Sequence, residues 1–200
     1  MLAGLARATI GATFNQFHEA GPNAVPGAPA IRLANLRHYL DERQDADVLA
    51  VGEAGGYQGM RWSGIAFTSE RDLARWGLPY QGTSTLRKGG WSEPSGTIVH
   101  GLLEELGAER RVILWNTVPT HPHLDGQPLS NRRPTRPEIA AGLLYAERLI
   151  DILRPGLVVG VGRIAAEALG ARAVYVRHPA QSGASAFRLG MGALLTAASR

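Results

Sequence analysis

Cysteine is absent from the 200 residues. That absence excludes disulfides, thiolate-bound zinc, cysteine-held iron–sulfur clusters and any thiol nucleophile, and it leaves the redox state of the compartment open. Lysine is nearly absent too: Lys88 is the only one, and it occupies no evident Schiff-base position. No uninterrupted apolar stretch is long enough to span a bilayer, and the opening MLAGLARATIGATF lacks the charged start and long apolar run of an export signal. A cytoplasmic protein without membrane contact is therefore expected.

With 44% hydrophobic residues, a chain of this length fits one core, so a single domain over residues 1–200 is expected. Residues 1–30 form an N-terminal extension that ends in the Gly/Pro-rich segment GPNAVPGAP (21–29), read as a loose connector. The formal net charge of +4 and the isoelectric point near 9.9 fit an anionic partner such as DNA but are also common in arginine-rich soluble enzymes, so position must decide.

Four apolar runs each lead into a polar or glycine-rich turn: DVLAVG into EAGGYQG, RVILWN into TVPTHPHLDG, GLVVGVG into RIA, and AVYVRHP into AQSG. The segments between them carry helical signals. Leu33, Leu36 and Leu40 share a face, and regular structure is expected from about Leu33. Ser69-Glu70 and Gly77 bracket a short helix, Pro94 and Gly107 bracket another, and Thr135-Arg136-Pro137-Glu138 resembles a capping box before a helix ending at Arg154-Pro155. Further helices are expected over Arg163–Leu169 and from about Ala186. Strands alternating with helices imply an α/β fold with a parallel sheet covered on both faces. Ligands bind such sheets outside the carboxyl ends of the strands, so the four turns should converge on one site.

Those turns hold the candidate residues. Glu53 follows the first strand on a turn whose glycines let a ligand approach the backbone, where it can activate water or simply be a solvated carboxylate. Tyr57 can wall a pocket or cover the core, and Phe67 can stack on a base or belong to the core. Asn116 follows the second strand; its amide suits the edge of a base, and also suits an Asx turn. His178 ends the last strand, where an imidazole can donate to charge on a leaving group or serve structure alone. The pair His121 and His123 has a metal-like spacing but no further ligand pattern, so no metal is expected. Gly160-Val161-Gly162-Arg163-Ile164-Ala165 matches part of a dinucleotide fingerprint, yet it lacks the acidic residue about twenty positions on, and tight strand–helix packing explains its glycines.

Taken in order, GEAGGYQGMRWSGIAFTSER, VILWNTVPTHPH with PLSNRRPT, and YVRHPAQSG with FRLG resemble the uracil-DNA glycosylase superfamily over Arg32 to Gly190. The resemblance implies a three-layer α/β/α sandwich around a four-stranded parallel sheet. It also implies hydrolysis of the N-glycosidic bond of uracil, or another deaminated base, flipped out of DNA, with no cofactor. By position it makes Glu53 and His178 catalytic, with Gly52, Ala54, Tyr57, Phe67 and Asn116 around the base: Phe67 stacking, Asn116 reading the Watson–Crick edge and Tyr57 excluding a methyl group. Arg177, Gln181 and Arg188 are the expected DNA contacts, Gln181 filling the gap left by the flipped base, with Arg132 and Arg133 as further phosphate candidates. Ala54 stands where many branches carry Asp or Asn, and Ala180 where Ser is usual. Without cysteine the iron–sulfur branch is excluded. A monomer bound to damaged DNA is the expected working form. The rival readings are a damage-recognising protein of the same fold that does not cut, and a nucleotide-binding enzyme built on the GVGRIA turn.

Overall fold

Apolar, β-branched runs that must be buried on both faces pair best with one another, and the four runs do so. The computed structural model describes residues 1–198, so the last two residues of the expected 1–200 unit lie outside the described residues. In chain order the elements are α1 (Leu2–Leu5), β1 (Thr13–Phe14), α2 (Ala28–Asp41), β2 (Val48–Ala54), α3 (Met60–Ser63), α4 (Glu70–Trp76), α5 (Pro94–Glu105), β3 (Val112–Val118), β4 (His121–Pro122), α6 (Arg136–Leu153), β5 (Leu157–Val161), α7 (Arg163–Leu169), β6 (Val174–Val176) and α8 (Ala184–Ala197). Strands β3, β2, β5 and β6 lie side by side in that order, all parallel. Helices α6 and α7 cover one face, α6 on β3 and α7 on β5 and β2. The opposite layer holds α2, α5 and α8, with α8 packed on α5 and β6. This is the three-layer α/β/α sandwich.

The two edges of the sheet are protected differently. All of β3 is buried although, among the described residues, nothing pairs with its outer side as a strand. There the Tyr39 hydroxyl of α2 accepts from Leu114 N at 2.8 Å and donates to Val112 O at 3.4 Å, serving exposed ladder groups in place of a strand. The other edge, β6, is only three residues long, which limits pairing with other chains.

Cap chemistry sets helix starts as expected at two places. Ser69 forms a capping box with Asp72, and Thr135 forms one with Glu138. Three expectations need correction. α2 begins at Ala28 rather than Leu33, because Gly27 takes a left-handed conformation (φ 76°) and Pro29 starts the helix. Its first turns bury Arg32 and Asn35, which an apolar period does not reveal. The connector is tied down, not loose: Val25 N donates to Ser84 O and Leu86 N to Asn23 O, while the buried Arg32 guanidinium donates to Ser84 Oγ and to the carbonyls of Gln16, Glu19 and Ala20. Strands β2 and β3 also run past their apolar cores, pairing Gly52 with Asn116 and Ala54 with Val118. Glu53 and Asn116 thus sit on strand ends, not turns, and the ladder holds them more rigidly than a loop would.

Candidate active site

The parallel register sends the ends of β2, β3, β5 and β6 to one side, and the segments after them form a groove of about 2170 Å³. A pocket of about 290 Å³ opens from it, walled by Glu53, Ala54, Gly56, Met60, Phe67, Glu93, Asn116 and His178. Gly52 makes this pocket possible. A Cβ there would lie 2.5 Å from Phe67 Cζ and 2.7 Å from Asn116 Oδ1, so only glycine lets the ring and the amide close over the strand. Phe67 is held at φ 52°, a left-handed conformation unusual for a bulky residue, which surrounding packing must impose. Its ring centre lies 5.7 Å from that of His178.

The polar groups of the pocket are short of partners. Asn116 is 3% exposed, and among the described residues its amide makes one hydrogen bond, a weak one from Nδ2 to Met60 Sδ at 3.2 Å. His178 Nδ1 accepts from Ala180 N at 3.1 Å. That contact assigns the ring proton to Nε2 in the neutral form. Burial, with Arg177 adjacent, pushes the His178 pKa below its usual value, so the neutral Nε2–H donor prevails near pH 7. Glu53 is half-buried; burial raises its pKa, opposed by the positive charge of Arg133.

The other expected residues divide. Arg177 and Gln181 line the groove. Gln181 and Ser182 take consecutive left-handed conformations, φ 52° and 61°. The Arg177 guanidinium donates to His178 O and Gln181 O, so it braces this loop from beneath as well as charging the groove. Tyr57 is not a wall of the pocket: its ring packs edge-on against Trp91 at 5.7 Å, and Gly56 and Met60 occupy the wall instead. Arg188 does not reach the groove; it points across α8 to pair with Glu105 of α5. Arg132 lines the groove but binds Glu138 through two hydrogen bonds, 2.7 and 2.8 Å, which holds the Glu138 pKa down at about 2. Among the described residues, the groove arginines with neither an ion pair nor a guanidinium hydrogen bond are Arg133 and Arg163, the latter hidden from sequence reasoning inside the GVGRIA motif.

The remaining motifs resolve into structure. A Cβ at Gly160 would lie 2.6 Å from Ala166 Cα, so this glycine lets α7 pack on the sheet. His121 is fully buried, takes a hydrogen bond from Arg61 at 2.8 Å on Nδ1, and donates from Nε2 to Ser130 O. Both of its nitrogens are committed, and burial beside Arg61 drives its pKa down to about 3. A further cleft of about 1250 Å³, walled by Trp76, Tyr80 and His100, lies between α2, α4 and α5, away from all the motif residues.

Glu93 was not singled out from the sequence. It precedes α5 at the N-cap position, and Glu is not a favoured cap there, which was the available signal. Met60, which touches the Asn116 amide, was hidden within a motif that reads as turn.

The model of the family described as the uracil DNA glycosylase superfamily matches residues 39–193, from α2 into α8, and so takes in the whole sheet and every wall of the pocket. No curated protein matches the chain. The solved structure described as "The crystal structure of WT Pedobacter heparinus SMUG2" superposes with a TM-score of 0.67, covering 98% of this chain and 96% of that one at 15% identity, and so shares its fold. With the family match extending over most of the described residues and the site motifs in their expected order, the chain belongs to the uracil DNA glycosylase superfamily.

Proposed function

We propose that the protein is a monofunctional DNA glycosylase that hydrolyses the N-glycosidic bond of uracil, or of another deaminated base, after the nucleotide flips out of DNA. The observation that carries this reading is the convergence of Phe67, Asn116 and the neutral Nε2–H face of His178 on one pocket beside Glu53. Phe67 supplies the stacking face. The Asn116 oxygen accepts from uracil N3–H, and its Nδ2 exchanges the Met60 sulfur for uracil O4, a much better acceptor. Cytosine reverses both polarities and leaves the amide mispaired.

As the bond from C1′ to N1 breaks, its electron pair moves to the base and spreads onto O2, while positive charge grows on the deoxyribose. His178 donates to O2 without giving up its proton, and Glu53 faces the sugar cation. Water adds to C1′ and loses a proton, leaving a free base and an abasic site. Ala54 brings no polar side chain to this end of β2, so Glu53 is the carboxylate that takes the water proton. Arg133 and Arg163 suit the phosphates along the groove, and the strained Gln181 loop suits the gap left in the duplex. No step needs a metal or cofactor.

The test is single-turnover excision on single-stranded, U·G, U·A and hypoxanthine-containing oligonucleotides, developed with alkali. Release of uracil is expected, and His178→Ala should lower the rate roughly 10²- to 10³-fold with DNA binding retained, because the lost donor acts on the transition state. Bound but uncut DNA throughout would instead make this a damage-recognising protein.

A further inference from the structure

The pocket holds a second carboxyl that the reaction above does not use. Glu93 occupies the N-cap of α5, yet its side chain makes no capping bond to that helix. It turns instead beneath the Gly56–Gly59 turn: a Cβ at Gly59 would collide with the carboxyl, and one at Gly56 would stand 3.6 Å from Oε1. Gly59 thus makes room for an acid. Oε2 is buried, and among the described residues nothing hydrogen-bonds to it. A buried carboxyl with neither a donor nor a cation to hold its charge is favoured as the neutral acid.

The charged and titratable groups around it fit that state. From β2 comes Glu53, from the segment after β6 comes His178, and across the groove stands Arg133, whose charge acts on Glu53. From α4 comes the negative charge of Asp72. No cation pairs with Glu93 among the described residues. Burial, reinforced by Asp72, raises its pKa to about 8.

The placement within the pocket says what the acid would touch. Met60, the residue after Gly59, holds the Nδ2 end of Asn116. Glu93 and the Asn116 amide are walls of the same pocket, and the Gly59–Met60 segment joins them: Glu93 turns beneath Gly59, and Met60 meets Nδ2, the end of the amide that meets a keto oxygen of the base. A neutral carboxyl there offers one O–H donor and one carbonyl acceptor.

We propose that Glu93, as the neutral acid, is a specificity-determining residue of the base pocket: its O–H donates to the keto oxygen next to the ring N–H, which is O4 of uracil or O6 of hypoxanthine and xanthine. Oxo bases are selected while the acid is protonated. Ionisation turns the group into an acceptor facing an acceptor and expels the same bases. This inference rests on the glycosylase reading and deepens it.

The experiment compares single-turnover excision of uracil at pH 7 and pH 9 in the wild type and in Glu93→Gln, whose amide keeps a donor at every pH. The wild-type rate should fall about tenfold across that interval, and the pH 7 to pH 9 ratio in Glu93→Gln should be near one, which a structural role would not produce. Equal ratios in the two proteins overturn the proposal. Affinity for a uracil-containing oligonucleotide, measured in the slow-cutting His178→Ala background before excision accumulates, separates this proposal from the glycosylase reading. Weakening above about pH 8 that Glu93→Gln abolishes supports the role of Glu93 even if the wild type cuts nothing. Affinity independent of both pH and Glu93 overturns it even if excision is robust.

Discussion

Glu70, at the start of α4, and Glu93, at the end of the loop that leads into α5, each bury a carboxyl oxygen, and the chain treats them in opposite ways. Glu70, 1% exposed, accepts from Ser84 N at 2.6 Å, Thr85 N at 3.0 Å and Trp91 N at 3.0 Å, with the Arg32 charge nearby. Those bonds oppose the rise in pKa that burial causes, and they pin the loop between α4 and α5. Glu93 has no such partner on Oε2 among the described residues. The histidines repeat the contrast: His121 has both nitrogens engaged inside the protein, whereas His178 spends Nδ1 on Ala180 and leaves Nε2 for the pocket. Polar groups satisfied from within build the scaffold, and those left short of partners beside a cavity are arranged for a ligand.

The largest effect expected from breaking this contrast is on stability. Glu70→Ala orphans three N–H donors, two of them buried, and should cost roughly 3–5 kcal/mol in urea denaturation. A loss below about 1 kcal/mol would mean that water replaces the carboxylate and that Glu70 is no scaffold residue. Glu93→Gln should act in the opposite direction. The native acid holds its proton up to about pH 8, whereas an unfolded Glu releases it near pH 4.5, so wild-type stability falls as pH rises through that window. The Gln variant should be more stable than the wild type by roughly 1–3 kcal/mol at pH 8, with the difference gone by pH 4. Equal denaturation curves at pH 8 would place Glu93 among ordinary carboxylates.

Smaller changes sharpen the pocket side of the comparison. Asn116→Asp should reduce the preference for uracil over cytosine at least about tenfold in single-turnover rates. An unchanged ratio would make Asn116 only a strand residue. Arg188→Ala breaks an exposed pair with Glu105 and should change stability by no more than about 0.5 kcal/mol. The salt dependence of DNA binding should be the same in that variant. A slope smaller by about one would return Arg188 to the phosphate backbone.

Much of the scaffold is legible from neighbours along the chain. Ser69 and Thr135 announce their helices because a capping box is closed within four residues. The runs at Val48, Val112, Leu157 and Val174 announce strands because β-branched apolar residues need burial on both faces. Asn116 and His178 could be named as candidates since each ends such a run. Arg32 was illegible because a buried guanidinium is explained only by carbonyls from the N-terminal segment and a hydroxyl from the loop at Ser84. Tyr57 was assigned to the pocket from its place in a motif, and the competing packing against Trp91 is invisible without the loop that carries Trp91.

The sequence by itself determined the alternation of strands and helices, the order of the motifs and the edge of the sheet on which they meet, because periodicity and caps are local and parallel strands send their ends one way. Only the tertiary structure decided that Glu53 and Asn116 ride on strand ends, that Arg188 serves α5 rather than the groove, and that Glu93, unlike Glu70, leaves a buried carboxyl oxygen without a partner among the described residues. Desolvation and pairing depend on which distant elements are folded against a side chain, and no local pattern carries that information.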